Sequence, residues 1–181
     1  MSRNPDILAI AAHRDDVEQT CGGTLLKMAQ RGYRTGILDL TQGEMGTRGT
    51  AEDRAREAAE AAEILRVGWR HALDIPDGRV ENTWENRLKI ARVIREQRPR
   101  VVILPYWQGR HPDHYTSSVV GYEACFLAGL SKLDVAISVQ QSAFSQASDV
   151  ARAPLRQAQG RLSPATEAEN LRDLPDPEKT P

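Results

Sequence analysis

The 181-residue chain has few cysteines, almost no net charge and no long hydrophobic run, and each shortage excludes a class of protein. Its two cysteines, Cys21 and Cys125, lack the spacing of a metal or redox site, and we expect both to stay reduced. A formal net charge of -1 gives no electrostatic footprint for nucleic acid or an anionic membrane. No apolar segment approaches the ~20 residues of a membrane span, and because the first residues lack a basic-then-apolar pattern we expect no signal peptide. The sequence therefore predicts a cytoplasmic protein that binds neither nucleic acid nor a membrane.

Strand-like and helix-like patterns alternate along the first part of the chain. A continuous apolar run at 7–12 is typical of a strand buried on both faces. Apolar residues then recur at helical spacing at about 17–31. The same alternation continues with strands at 34–40, at 71–75 and from 101, and with helices at about 51–66, 84–97 and 115–130. This pattern predicts an α/β fold, a Rossmann-like doubly wound parallel sheet with helices on both faces.

The composition changes near Leu133. From there to Pro181 the chain has one aromatic residue and half of its ten prolines, together with many Gln, Ser, Ala and Arg. Such a segment cannot bury enough apolar surface to offset the entropy of ordering its backbone. We therefore expect a domain at 1–134 and an irregular, disordered tail at 135–181.

Two charged turns follow buried strands. The first, HRDD, follows the strand at 7–12, and the second, GRHPDH, follows the apolar run VVILP. In a doubly wound sheet the first strand and the first strand after the order reverses are neighbours, with a crevice between their carboxyl ends. We expect this crevice to bring together six side chains: His13, Asp15, Asp16, His111, Asp113 and His114.

Imidazoles and carboxylates in one crevice are typical of a catalytic zinc site of the His₂-carboxylate kind, which keeps one coordination position open. Zinc lowers the pKa of bound water towards ~7 and so generates hydroxide near neutral pH. Of two adjacent carboxylates, one can be a metal ligand and the other can be the base that accepts a proton from water. The other histidine of HPDH, in its charged form, can donate to a developing oxyanion.

Four segments of the chain carry a family resemblance: AHRDD, GGTL, the run GILDLTQGEMGTRGTAEDRAREAAEAAEIL, and HPDH. In this order they resemble the LmbE-like (PIG-L) zinc-dependent N-acetylglucosamine deacetylases, and the GEMGTRGT loop is most similar to that of the bacillithiol-biosynthesis deacetylases. The resemblance implies an amide hydrolase that removes acetyl from a small N-acetylated amino sugar, with N-acetylglucosaminyl malate as one candidate. It also implies one Zn²⁺ per chain and allows a homo-oligomer, but the oligomeric state stays open. The aglycone of the substrate stays open.

The resemblance also implies roles for individual residues. Three match the metal ligands of the family: His13, Asp16 and His114. Three match catalytic positions: Asp15 the general base, His111 the acid that stabilises the oxyanion, and Asp113 the residue that orients His111. Arg54, after the GTRGT loop, matches a substrate-binding arginine. A cation near a helix start is unfavourable, which makes a substrate contact as well supported as a plain surface charge, and both interpretations stay open. Whether Asp15 or His111 protonates the leaving amine stays open.

The chain departs from the family pattern at two points. Arg14 stands where members usually have the proline of AHPDD, and we expect this turn to tolerate it. Members also usually continue with further sheet, a pocket wall and subunit contacts where this chain has its tail, so we interpret the deacetylase domain as incomplete and C-terminally truncated.

Other interpretations of the same residues stay open. An Asp-Asp turn alone is most often a helix cap, but its pairing with HPDH favours a site. The main alternative function is an inactive, truncated metal-binding remnant of such an enzyme. A nucleotide-binding module is disfavoured because no GxGxxG is present.

Overall fold

The computed structural model describes residues 4–133, which contain a parallel sheet and flanking helices. In chain order the elements are β1 Ile7–Ala11, α1 Asp16–Thr20, α2 Gly22–Gln30, β2 Thr35–Asp39, α3 Ala51–Ile64, β3 Trp69–Ala72, α4 Trp84–Gln97, β4 Val101–Ile103 and α5 Pro112–Ala128. The tail expected at 135–181 lies outside the described residues, so the division of the chain into a domain and a tail stays a prediction.

The sheet has the strand order β3-β2-β1-β4, and all neighbouring strands run parallel. The chain moves outwards from β1 to β3 and then returns to place β4 on the other side of β1. Because crossovers between parallel strands are right-handed, this reversal puts α1 to α3 on one face and α4 on the other. α5 packs against α4. The predicted doubly wound α/β fold is confirmed.

The two central strands form the core. All five residues of β1 and all five of β2 are buried, so neither strand shows the alternation of a half-exposed sheet. Leu8, Ile10, Ile37 and Leu38 are at most 2% exposed. Burying each such side chain stabilises the fold by roughly 1.5–3 kcal/mol. The burial of β1 therefore fixes the position at which the following turn begins.

The helix predicted at about 17–31 is in fact two helices. Cys21 has φ of -139°, outside the helical range, and separates α1 from α2. Gly22 lies against the end of α3, where an added Cβ would be 3.5 Å from the side chain of Leu65. The sequence pattern missed this break because Val17 and Leu25 keep a helical spacing across it. As a result, Asp16 begins a separate helix of only five residues.

Two further boundaries differ from those predicted. α5 begins at Pro112, because proline fits the first helical position and the His111 ring accepts the backbone N–H of Asp113 as a cap. β3 spans 69–72 because it pairs with Gly36–Asp39 of β2. Among the described residues, no helix has the length and apolar character needed to cross a membrane.

Candidate active site

Loops at the carboxyl ends of three strands meet in one cluster. The HRDD turn follows β1, a loop containing Asp77 follows β3, and the first turn of α5 follows β4. The cluster lies where the strand order reverses, which is the usual position of a ligand site in a doubly wound sheet. All of the residues predicted for the site, apart from Arg54, lie in the first and third of these segments.

Three side chains have the spacing of metal ligands. His13 Nδ1 lies 3.2 Å from His114 Nε2 and 3.3 Å from Asp16 Oδ2, and His114 Nε2 lies 3.1 Å from Asp16 Oδ1. Ligand bonds of ~2.0–2.1 Å around a tetrahedral zinc ion separate neighbouring ligand atoms by about 3.3 Å. Two imidazole nitrogens and one carboxylate with this spacing fit a zinc ion with an open fourth position.

The Asp16 carboxylate is held in its ionised form. The backbone N–H of His13 donates to its Oδ2 atom at 2.9 Å. Burial raises the pKa of Asp16, but hydrogen bonds from His13 and the charges of His13 and His114 outweigh burial and lower it below its usual value. A carboxylate that is ionised at neutral pH is ready to act as a ligand.

The His13 ring lies among three carboxylates. Burial lowers the pKa of His13, but the hydrogen bond to Asp16 and the charges of Asp16, Asp77 and Asp113 outweigh it and raise that pKa to about 9. In the metal-free protein a proton on His13 therefore balances the surrounding negative charge. A divalent cation at the Nδ1 atom would take over that function.

Asp77 is a part of the site that the sequence analysis missed. Its Oδ1 atom lies 3.0 Å from His13 Nε2, and its side chain is only 8% exposed. Its Oδ2 atom accepts the backbone N–H of Met45, in the glycine-rich loop before α3, at 2.9 Å. A carboxylate on the far nitrogen of a metal-binding histidine fixes the ring orientation and tautomer. The only signal in the sequence was an aspartate soon after a strand, in PDGR.

Asp113 is buried beside the His13 ring and contacts the loop that contains Asp77. Its carboxylate accepts the backbone N–H groups of Gly78 at 2.8 Å and Val80 at 3.2 Å, and its Oδ2 lies 3.4 Å from His13 Nε2. The carboxylate also lies within 4.8 Å of a ring nitrogen of His111. Asp113 therefore joins the turn after β4 to the loop after β3.

His111 occupies an exposed position at the start of α5. Its Nδ1 atom accepts the backbone N–H of Asp113 at 3.2 Å. A neutral ring that accepts at Nδ1 carries its proton on Nε2, so Nε2 is a hydrogen-bond donor. The charged form expected from the sequence would need Nδ1 to give up this contact. In this structure the link from Asp113 to His111 runs through the backbone N–H.

Asp15 and Arg54 line an open cleft of about 220 Å³ beside His13 and His111. The Asp15 side chain is 53% exposed and caps no backbone N–H, so its carboxylate is accessible from the cleft. Arg54 Nη1 lies 4.0 Å from Asp15 Oδ2. A capping box formed by Thr50 and Asp53 fixes the start of α3 and so places Arg54 in its first turn.

Comparisons with known proteins agree with this fold. The chain is 38% identical over 135 residues to a diacetylchitobiose deacetylase of Thermococcus kodakarensis, a match that covers 68% of this chain and 50% of that protein. The crystal structure of the conserved protein TT1542 of Thermus thermophilus is 49% identical with a TM-score of 0.69, covering 71% of this chain and 59% of that one. A 4-carboxy-2-hydroxymuconate hydratase of Pseudomonas putida is 25% identical with a TM-score of 0.63, covering 71% and 58%.

These matches leave part of each relative uncovered, since the chain spans only half the length of the Thermococcus deacetylase. The family model described as PIG-L, GlcNAc-PI de-N-acetylase, matches residues 8–125, a range that contains both charged turns and Arg54. The chain belongs to the PIG-L family of GlcNAc-PI de-N-acetylases.

Proposed function

We propose that this protein is a zinc-dependent N-deacetylase that hydrolyses an N-acetylglucosaminyl compound to the free amine and acetate. The observation that carries the proposal is the set of three candidate ligand side chains, whose nitrogen and oxygen atoms lie 3.1–3.3 Å apart beside the exposed carboxylate of Asp15. The Thermococcus relative, a diacetylchitobiose deacetylase, supports the N-acetylated sugar as the substrate class.

His13, Asp16 and His114 would hold the zinc ion. A zinc ion bound there supplies Lewis acidity, which lowers the pKa of water towards ~7 and polarises a carbonyl oxygen. The chain itself fixes the ligands: Asp77 and Asp113 lie on the far nitrogen of His13, and the His13 backbone N–H donates to Asp16. These contacts reduce the reorganisation that binding the ion would otherwise require.

Asp15 is the general base in this proposal. Its carboxylate would accept a proton from the attacking water while the water oxygen bonds to the acetyl carbonyl carbon. The Nε2–H of His111 would donate to the oxygen of that carbonyl as negative charge develops on it. The C–N bond would then break as the leaving nitrogen takes the proton held by Asp15, because a neutral His111 ring has no acidic proton to give. The remaining hydroxyl proton of the acetic acid would pass to the free amine or to solvent, which leaves acetate.

Arg54 would bind the sugar or its aglycone. It lines the same cleft as Asp15, and its guanidinium offers several donors to hydroxyl or carboxylate oxygens. An acidic aglycone such as the malate of N-acetylglucosaminyl malate fits this cation. The resemblance of the GEMGTRGT loop to that of bacillithiol-biosynthesis deacetylases supports the same choice.

The test is acetate release by the zinc-loaded chain from a panel of N-acetylglucosaminides: the malate conjugate, an inositol conjugate, diacetylchitobiose and free N-acetylglucosamine. We expect release from at least one, lost on chelation and restored by zinc. Stoichiometric zinc binding without release from any of them would instead support the inactive remnant. The hydratase among the similar structures shows why the assay is needed, since one fold hosts different reactions.

A further inference from the structure

A buried arginine outside the cleft is bonded to both sides of the proposed catalytic turn. Arg70 lies in β3, and its side chain is 10% exposed. Its guanidinium makes five hydrogen bonds, to both Asp39 carboxylate oxygens, to one Glu18 oxygen, and to the backbone carbonyls of Arg14 and Ala58. A guanidinium has five N–H donors, so every donor of Arg70 has an acceptor.

Two of these acceptors flank, along the chain, the proposed base Asp15 and the proposed ligand Asp16. The Arg14 carbonyl is part of the peptide bond between Arg14 and Asp15. Glu18 lies in the same short helix as Asp16. Arg70 thus contacts the chain immediately before Asp15 and again two residues after Asp16. Both carboxylates lie between the two contacts.

The turn needs an external restraint of this kind. α1 has only five residues, and a helix that short has little stability of its own. The side chain of Asp15, at its N-terminus, caps none of its N–H groups. The position of the turn must therefore come from contacts with the rest of the fold.

The other contacts of Arg70 connect the turn to rigid parts of the molecule. Asp39 ends the buried strand β2 and binds the guanidinium through two oxygens, at 2.9 and 3.1 Å. Ala58 lies one turn after Arg54 in α3, and its carbonyl accepts from Arg70 at 3.0 Å. The Arg70 side chain is therefore hydrogen-bonded at once to the turn, to the sheet and to the helix that carries Arg54.

We propose that Arg70 is a positioning residue, which sets the placement of the Asp15–Asp16 turn relative to Arg54 through its contacts with Arg14 and Glu18. It does not line the cleft that contains Asp15 and Arg54. The inference rests on the proposed function only in that the turn being positioned is the proposed metal and base turn.

The test compares Arg70→Lys with wild type. Lysine keeps the charge, but its three donors cannot reach five acceptors. We expect faster hydrogen exchange at the backbone N–H groups of His13, Asp16 and Gln19, with unchanged exchange in the interior of α4. Zinc affinity, measured by competition with a chelator, should fall by ~10–100-fold, as is typical when a residue supporting metal ligands is changed. We also expect a similar loss in kcat with little change in KM.

Arg87→Lys is the matched control. Arg87 forms a half-buried ion pair with Glu123 at 2.8 Å that joins α4 to α5, away from the turn. This variant should lower the melting temperature while zinc affinity and exchange at His13 and Asp16 stay at wild-type values. If Arg70→Lys behaves in the same way, Arg70 contributes only to stability and the inference is wrong.

If Arg70→Lys does not fold, the same measurements on Glu18→Gln test the inference. This variant weakens one contact and leaves the Asp39 pair intact, so we expect the same changes with smaller size. Unchanged exchange in the turn of a folded Glu18→Gln variant would count against the inference. Exchange and zinc affinity need no substrate. A wild-type chain that releases no acetate would therefore overturn the proposed function while these measurements still decide the role of Arg70.

Discussion

Asp16 Oδ1 lies 3.1 Å from His114 Nε2, which brings the turn after β1 directly against the first turn of α5. Each residue comes from a segment that follows one strand of the neighbouring parallel pair β1 and β4. Two side chains this close across a crevice must share either a proton or a cation. The donor set and spacing around them fit zinc.

The first prediction concerns His114. His114→Ala removes one of three ligands, so zinc content should fall from about one ion per chain to a small fraction of that value. Elemental analysis of the purified protein measures this directly. His71→Ala is the control, because His71 lies in β3 with an exposed side chain and should leave zinc content unchanged. Full zinc occupancy in His114→Ala would remove His114 from the ligand set.

The second prediction separates the two aspartates of the turn. Asp15→Asn should keep zinc, because all three ligands remain, and should lower kcat by the ~10²–10⁴-fold typical of a lost general base. Asp74→Asn is a suitable control, since Asp74 is also an exposed carboxylate and pairs with Lys89 at 2.7 Å. A variant of Asp15 that loses zinc together with activity would make Asp15 a ligand.

The convergence of the two charged turns could be predicted from the sequence because it depends on topology alone. β1 and β4 are neighbours in any doubly wound sheet of this order, so the loops at their carboxyl ends must meet. Asp77 could not be found in this way, since it follows β3, at the other edge of the sheet from β4. Its contact with His13 depends on the path of the loop after β3, which the Asp113 carboxylate holds through two backbone N–H groups.

Arg70 was missed for a different physical reason. An arginine in a short edge strand is usually solvated, and nothing in WRHA indicates burial. Its role depends on the length of the side chain, which carries the guanidinium from β3 to the turn after β1. Contacts of that kind depend on side-chain conformation, whereas the period of apolar residues reports only the backbone.

The third prediction concerns Asp77. Asp77→Asn keeps the shape of the side chain but removes the charge opposite His13 Nε2 and weakens the contact with Met45. We expect zinc affinity to fall by ~10–100-fold, the usual effect of losing a carboxylate behind a histidine ligand. Asp74→Asn again serves as the control, and the same chelator competition applies. Equal zinc affinity in both variants would show that the Asp77 contact has no effect on the site.

The fourth prediction is a pH dependence of the metal-free protein. The pKa of His13 is raised to about 9 in the folded state from an ordinary value of 6.5. The stabilising contribution of the charged ring is therefore fully present below pH 6.5 and is lost as the pH rises through 9. A change of this size corresponds to about 3 kcal/mol in the free energy of unfolding. Urea denaturation at pH 6.5 and 9.5 in the presence of a chelator measures it.

His13→Gln should remove most of this dependence, whereas His71→Gln should retain it, because only His13 lies among the three carboxylates. Zinc should also remove it, since the ion takes the place of the proton and must displace it on binding. The apparent zinc affinity should accordingly rise with pH up to about 9. A metal-free protein whose stability is the same at both pH values would mean that the carboxylates around His13 do not hold the proton there.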